Sequence, residues 1–164
     1  MLYTHGSRGQ EVRCLTAGEE TPLLDYFAVY SARFTGLLDA TLAVHERAVI
    51  LDIHSYPEHK LPYELHGDGY RPTLCVGSEQ FHASGALLAA VAECFTELDA
   101  RANEPSAGAY VPLKHYGSDA RVSSVMLGIR RGAYMTEATV TRKPKGYAAV
   151  QQPLQLLVDR VAQN

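Results

Sequence analysis

AVILDIHSYPEH, residues 48–59, is apolar on both faces of an extended chain until Asp52, and then presents His54 and Ser55. A run that is apolar on both faces is the mark of a central strand in a largely parallel sheet, because helices cover such a sheet on each side. Residues two apart on a strand point the same way, so Asp52 and His54 share a face and can act together. In open α/β sheets ligands lie beyond the carboxyl ends of the strands, where these residues fall. A neutral imidazole at that place can ligate zinc or relay a proton. The plainer alternative is that Asp52 caps the following loop and His54 makes an ordinary buried hydrogen bond.

Outward from this strand the chain alternates between helix and strand. Thr21-Pro22 starts a helix expected to run to about Val44, with Leu24, Phe27, Ser31, Phe34, Leu38 and Leu42 on one face. Its apolar face carries a single hydroxyl, Ser31. PTLCVG (72–77) reads as the next strand, and the Pro-, Gly- and His-rich segment between the two strands as a long loop. A second helix is expected over 84–101, a loop over 103–119, a third strand over 120–131 and a closing helix over 150–163. Residues 1–20 read as loop with at most a short strand. The expected class is α/β: a mostly parallel or mixed sheet with helices on both faces, forming one domain over 1–164.

The 164 residues include 46% hydrophobic and 20% charged side chains, with a net charge of −3, which argues against a dedicated nucleic-acid binder. No apolar run reaches the roughly 20 residues that span a bilayer, and the amino-terminal residues do not form a secretory signal; a cytoplasmic protein is expected. Cys14, Cys75 and Cys94 are odd in number and widely spaced, as suits reduced thiols.

Other histidines carry no local metal signature, since no pair has the i, i+4 spacing of a helical zinc motif. His5 sits in THGSRGQE, where a Gly-rich turn can present His5 and Glu11 to one ion, although a solvated loop is the simpler reading. His45 follows the last apolar turn of the first helix and suits its carboxyl-end dipole. Arg121, Arg130 and Arg131 flank the third strand, and a guanidinium is the natural clamp for a substrate carboxylate. Arg130 and Arg131 point to opposite sides if the strand persists, so at most one of them faces a site.

Three ordered motifs, VILDIHSYP, NEPSAGAYVPLKHYG and SVMLGIRRGAYMTE, resemble the N-formylglutamate amidohydrolase family over about residues 20–140. That family has a DxHS strand end, a loop of the type N-x-P-F-x-G-G-Y leading to HYG, and a strand Q-x-E-x-x-R-x-x-YM. The resemblance implies a phosphorylase/hydrolase-like α/β fold related to zinc carboxypeptidases. It also implies zinc-assisted hydrolysis of an N-acyl amide on an acidic amino acid, a small-molecule substrate bearing a carboxylate. His54 falls on the DxHS histidine, a zinc ligand by resemblance. Asn103 and Gly108 fall on the substrate-side loop, Arg131 on the arginine before YM, and Ser55 joins the substrate-binding set.

The chain departs from the family pattern at three places. Gly128 stands at the catalytic-glutamate position and has no carboxylate to activate a water. Ser31 stands where the first helix of the family has a histidine, and only twenty residues precede that helix, where the family carries further ligand motifs. The fold is accordingly expected to be shortened at its amino terminus. An enzyme reading therefore completes the metal set with His5 and Glu11, or with His59 and His66, and takes its base from Glu58, Glu104 or Glu137. A second reading is a member that binds an acidic small molecule or a protein partner without hydrolysis. A third is that the chain is a fragment, or one half of a site completed across a subunit interface in a homo-oligomer, association being the expected remedy for a sheet edge that a missing first strand exposes.

Overall fold

A computed structural model describes residues 5–6, 8–62, 64 and 69–163. Helix α1 (Ala17–His45) leads into strand β1 (Ala48–Tyr56), and β2 (Leu74–Gly77) precedes α2 (Gly85–Cys94) and β3 (Ala100–Ala102). Strand β4 (Val122–Arg130) is followed by the short α3 (Arg131–Tyr134), the two-residue strands β5 (Met135–Thr136) and β6 (Thr141–Arg142), and α4 (Pro144–Gln163). The principal sheet has the order β1-β4-β2-β3; β1 runs parallel to β4 and β2 parallel to β3, whereas β2 and β4 are antiparallel. The sheet is thus mixed.

Alternation along β4 sorts the core into two layers. Val125, Leu127 and Ile129 pack with Leu87, Val91 and Phe95 of the α2 region and with Val150 and Leu157 of α4. On the other face Leu38 and Leu42 of α1 meet Ala48, Ile50, Val111 and Val122. Each large side chain buried this way contributes about 1.5–3 kcal/mol. Helices therefore cover both faces, as the strand pattern requires.

Several boundaries differ from the sequence expectation for identifiable reasons. α1 starts four residues before Thr21, because Glu19 accepts the Thr16 backbone N–H at 2.9 Å and its hydroxyl at 2.8 Å. TAGE is the S/T-x-x-E box that fixes a helix start, and Pro22 lies a turn inside. α2 stops at Cys94 rather than near 101, since Leu74 N donates to Asp99 O at 3.0 Å and draws the chain into β3. α4 begins at Pro144, with proline at the first helical position, six residues ahead of the expected start. The third strand ends at Arg130, so Arg131 opens a helical turn instead of pointing across the sheet from Arg130. No described helix is long and apolar enough to cross a membrane.

Candidate active site

β1 and β4 bring Asp52, His54, Met126 and Gly128 to one face at the carboxyl end of their parallel pair, with Asp52 opposite Met126 and His54 opposite Gly128. Across β4, Gly128 in turn faces Cys75 of β2, so His54, Gly128 and Cys75 form a row over three strands. Residues 105–110 arch over this row and close a cleft of about 520 Å³, floored by the row and by Met126 and walled by Tyr56 and Tyr110. The arch depends on Gly108, whose φ of +85° favours glycine, and on Gly77 beneath it, where a Cβ would come within 2.4 Å of the Gly108 carbonyl.

The chemical pair in the cleft is Asp52 and His54, with Oδ1 and Nε2 2.8 Å apart. Asp52 orients the ring through Nε2. Nδ1 has no hydrogen bond among the described residues, and the imidazole is 59% exposed. The other polar groups are uncharged donors. Burial pushes the Cys75 thiol up, and it donates to Ser106 O at 3.1 Å. Burial likewise raises the Tyr56 phenol, which donates to Pro72 O. Behind Tyr56, the buried Arg71 sits 5.1 Å over its ring and is held by Glu64 at 2.9 Å and by Pro57 O at 3.0 Å. Tyr110 meets Ser31 of α1 through hydroxyls 3.3 Å apart and packs on Phe34, so α1 braces the cleft wall.

The sequence-expected residues divide sharply. Asp52, His54, Ser55 and Gly108 line the cleft. Asn103 sits behind it: with φ of 58°, it accepts Ser78 N–H at 2.9 Å through Oδ1 and donates N–H to Val76 O at 3.0 Å, fixing the turn after β3. Arg131 does not line the cleft; its Nε is 3.3 Å from Glu137, whose other oxygen accepts the Glu58 N–H at 2.6 Å. Glu58 itself packs against Gly132. Glu104 precedes Pro105 at the foot of the arch, and none of Glu58, Glu104 and Glu137 is among the described lining residues. His5 and Glu11 pair with each other as an antiparallel bridge, and Gly9 between them rests on Pro62. His59 lies in the loop after β1, and His66 lies outside the described residues. Tyr56, Cys75, Tyr110 and Met126 also line the cleft, and nothing local in the sequence marks them as site residues. For Cys75 the one signal is an apolar run.

A zinc site takes about three protein ligands with a position left for water, or four when closed. Among the described residues no three His, Cys, Asp or Glu side chains come together to hold a metal ion. Asp52 and His54 of one chain thus supply a pair, which does not by itself complete such a centre.

Comparison with known proteins places this arrangement. A family model described as N-formylglutamate amidohydrolase matches residues 4–135. Among solved structures, the crystal structure of N-formylglutamate amidohydrolase from Ralstonia eutropha JMP134 superposes with a TM-score of 0.75 at 24% identity, over 93% of this chain and 58% of that one. That likeness shows the fold, and this chain spans little more than half the relative's length. No curated protein matches the chain. With the family match covering the DxHS strand end, the arch and the strand that carries Gly128, the chain belongs to the N-formylglutamate amidohydrolase family.

Proposed function

We propose that the cleft takes up a small N-acyl amide of an amino acid and that its chemistry is the hydrolysis of that linear amide. What carries this reading is the Asp52–His54 pair at the carboxyl end of β1, 2.8 Å apart, inside the cleft of an amidohydrolase-family fold. Asp52 holds Nε2, and Nδ1 has no hydrogen bond among the described residues, so His54 can accept a proton at that atom or present it as a zinc ligand. Gly128 opposite presents only backbone to the cleft, with Cys75, Met126 and Tyr56 packed around it. Tyr56, Tyr110 and Met126 exclude water from the apolar part of the ligand. A carboxylate on the substrate has no arginine among the described lining residues to meet it, because Arg131 is engaged by Glu137. Within the lining, recognition of the acidic portion therefore rests on hydroxyl and imidazole donors. The chain's own residues bind and orient, and zinc would supply water activation when bound.

The test is formate or acyl release from N-formyl-glutamate and N-acetyl amino acids, with and without added zinc chloride. His54→Ala is expected to lower the rate by about a hundredfold or more, the size of one lost general base or ligand. Turnover that survives this substitution overturns the reading. A second reading, binding without hydrolysis, is favoured by Gly128, which offers no base. It predicts saturable calorimetric binding of the same compounds with no product under any metal condition.

A further inference from the structure

Arg71, Arg101, Arg121, Arg131 and Arg160 each approach a carboxylate. Among the described residues Arg130 has none, although it is partly buried and ends the strand that floors the cleft. Its Nη1 donates to Arg71 O at 3.0 Å, a neutral acceptor. Its Nε is buried with no hydrogen-bond partner among the described residues. A guanidinium keeps its charge in any protein, and a cation withdrawn from water without a counter-ion is costly. Buried donors are paired in nearly all native structures, so an orphan on a permanent cation calls for a partner from outside the chain or a functional reason.

The place of Arg130 in the sheet narrows the choice. Val125, Leu127 and Ile129 turn to the α2 and α4 side, so by strand alternation Met126, Gly128 and Arg130 share the opposite face, and the first two line the cleft. Arg130 stands one row beyond Gly128, about 7 Å further along the strand toward its carboxyl end. Its partner in the ladder is Tyr56, which lines the cleft and brings a ring carbon to 3.4 Å from where a Cβ on Gly128 would lie. Arg71, the cation over the Tyr56 ring, is committed to Glu64 and to Pro57 O. Arg131, next in sequence, faces Glu137. Of these three guanidiniums, Arg130 alone has its charge unspent among the described residues.

We infer that Arg130, and not Arg131, pairs with a carboxylate on the amino-acid part of a ligand whose acyl amide lies over His54 and Gly128, and so sets the preference of the cleft for an acidic ligand. The guanidinium is held by a single neutral carbonyl. Turning it to the cleft exchanges that bond for charge-assisted ones and brings Nε into use. The inference rests on the reading of the cleft as a site for an N-acyl amino acid, and its test reads binding rather than turnover. An N-acyl glutamate carries two carboxylates, of which Arg130 takes one; the two mono-amides tell which.

Calorimetric titration of the full chain with N-formyl-glutamate, N-formyl-glutamine and N-formyl-isoglutamine removes the side-chain and the α-carboxylate in turn. The native chain is expected to bind the diacid at least about tenfold more tightly than one of the two amides, as for the loss of one hydrogen-bonded charge. Arg130→Met should erase that preference and leave the affinity for the weaker amide nearly unchanged. Arg130→Lys, which keeps the charge, should retain part of the preference, and Arg131→Met should retain all of it. An even loss of affinity for all three compounds in Arg130→Met marks a purely structural group and overturns the inference. So does a native chain that does not bind the diacid or shows no preference, an Arg130→Met variant that keeps the preference, or an Arg131→Met variant that loses it. If the preference follows Arg130 but no formate is released under any metal condition, the hydrolytic reading fails and the role of Arg130 stands.

Discussion

Among the described residues, two histidine–carboxylate groupings on the α1 side differ in how completely their hydrogen bonds are used. At the amino-terminal end of β4, His115 is buried with Nε2 2.9 Å from Asp39 and Nδ1 3.0 Å from Asp119. Lys114 closes on Asp39 at 2.7 Å and Arg121 on Asp119 at 2.8 Å. With a carboxylate against each ring nitrogen, His115 has no nitrogen left for a ligand. Neighbouring His82 is equally committed: Nε2 accepts the Gly117 N–H at 2.9 Å, which places the proton on Nδ1, 2.8 Å from Val122 O. At the opposite end of the sheet the exposed His54 has one carboxylate, and its other nitrogen has no partner among the described residues. The HYG segment is a clasp between α1 and β4, and the DIH segment is a candidate site. Residue type separates them less than unspent valence does.

Substitution should expose that contrast in stability before it does so in activity. His115→Ala leaves Asp39 and Asp119 without their common partner and opens a void against α1; a loss of about 3 kcal/mol in urea unfolding is expected. A loss under about 0.5 kcal/mol would mean that the clasp is not structural. Acid should act on the same place. Lys114 first and His115 second hold the Asp39 carboxyl below its ordinary range, and Arg121 followed by His115 hold Asp119 further below it. Because these folded-state values are depressed, the stabilisation is complete above the unfolded carboxylate range and is lost as pH falls through the folded values. Asp119→Asn should therefore flatten the decline of the unfolding midpoint measured on acidification below about pH 4. An unchanged slope would transfer the acid sensitivity to other carboxylates. The smallest effect belongs to the cleft: His54→Ala should alter unfolding free energy by no more than about 0.5 kcal/mol, as for an exposed side chain.

The same contrast explains what can be read from the sequence. AVILDI announces a strand, and the i, i+2 spacing puts Asp52 and His54 together, because strand periodicity is local and strict. The two-sided apolar pattern also requires helices on both faces. It does not reveal that this strand comes last in the sheet order among the described residues, since that position depends on which segments pair and not on β1 itself. Nor does it show β2 running against β4: strand direction there is set by the long connection from 57 to 73, whose irregular residues carry no periodicity. The Thr16–Glu19 box is legible in the sequence and outranks the Thr21-Pro22 signal. Motif alone assigns Arg131 to the substrate, whereas its approach to Glu137 depends on the strand ending one residue earlier. The roles of His82 and His115 rest on partners distant in the chain, Gly117 and Val122 for the first and Asp39 for the second, which no local pattern around either histidine announces.

Tyr110 stands in the cleft wall, touches Ser31 through its hydroxyl and packs its ring on Phe34. With ten tyrosines and no tryptophan in the chain, emission near the phenol maximum is undiluted by indole. The protein consequently carries its own optical reporter: a compound that enters beneath the arch must disturb Tyr110 or Tyr56, and the change can be followed without a label or a chromogenic substrate.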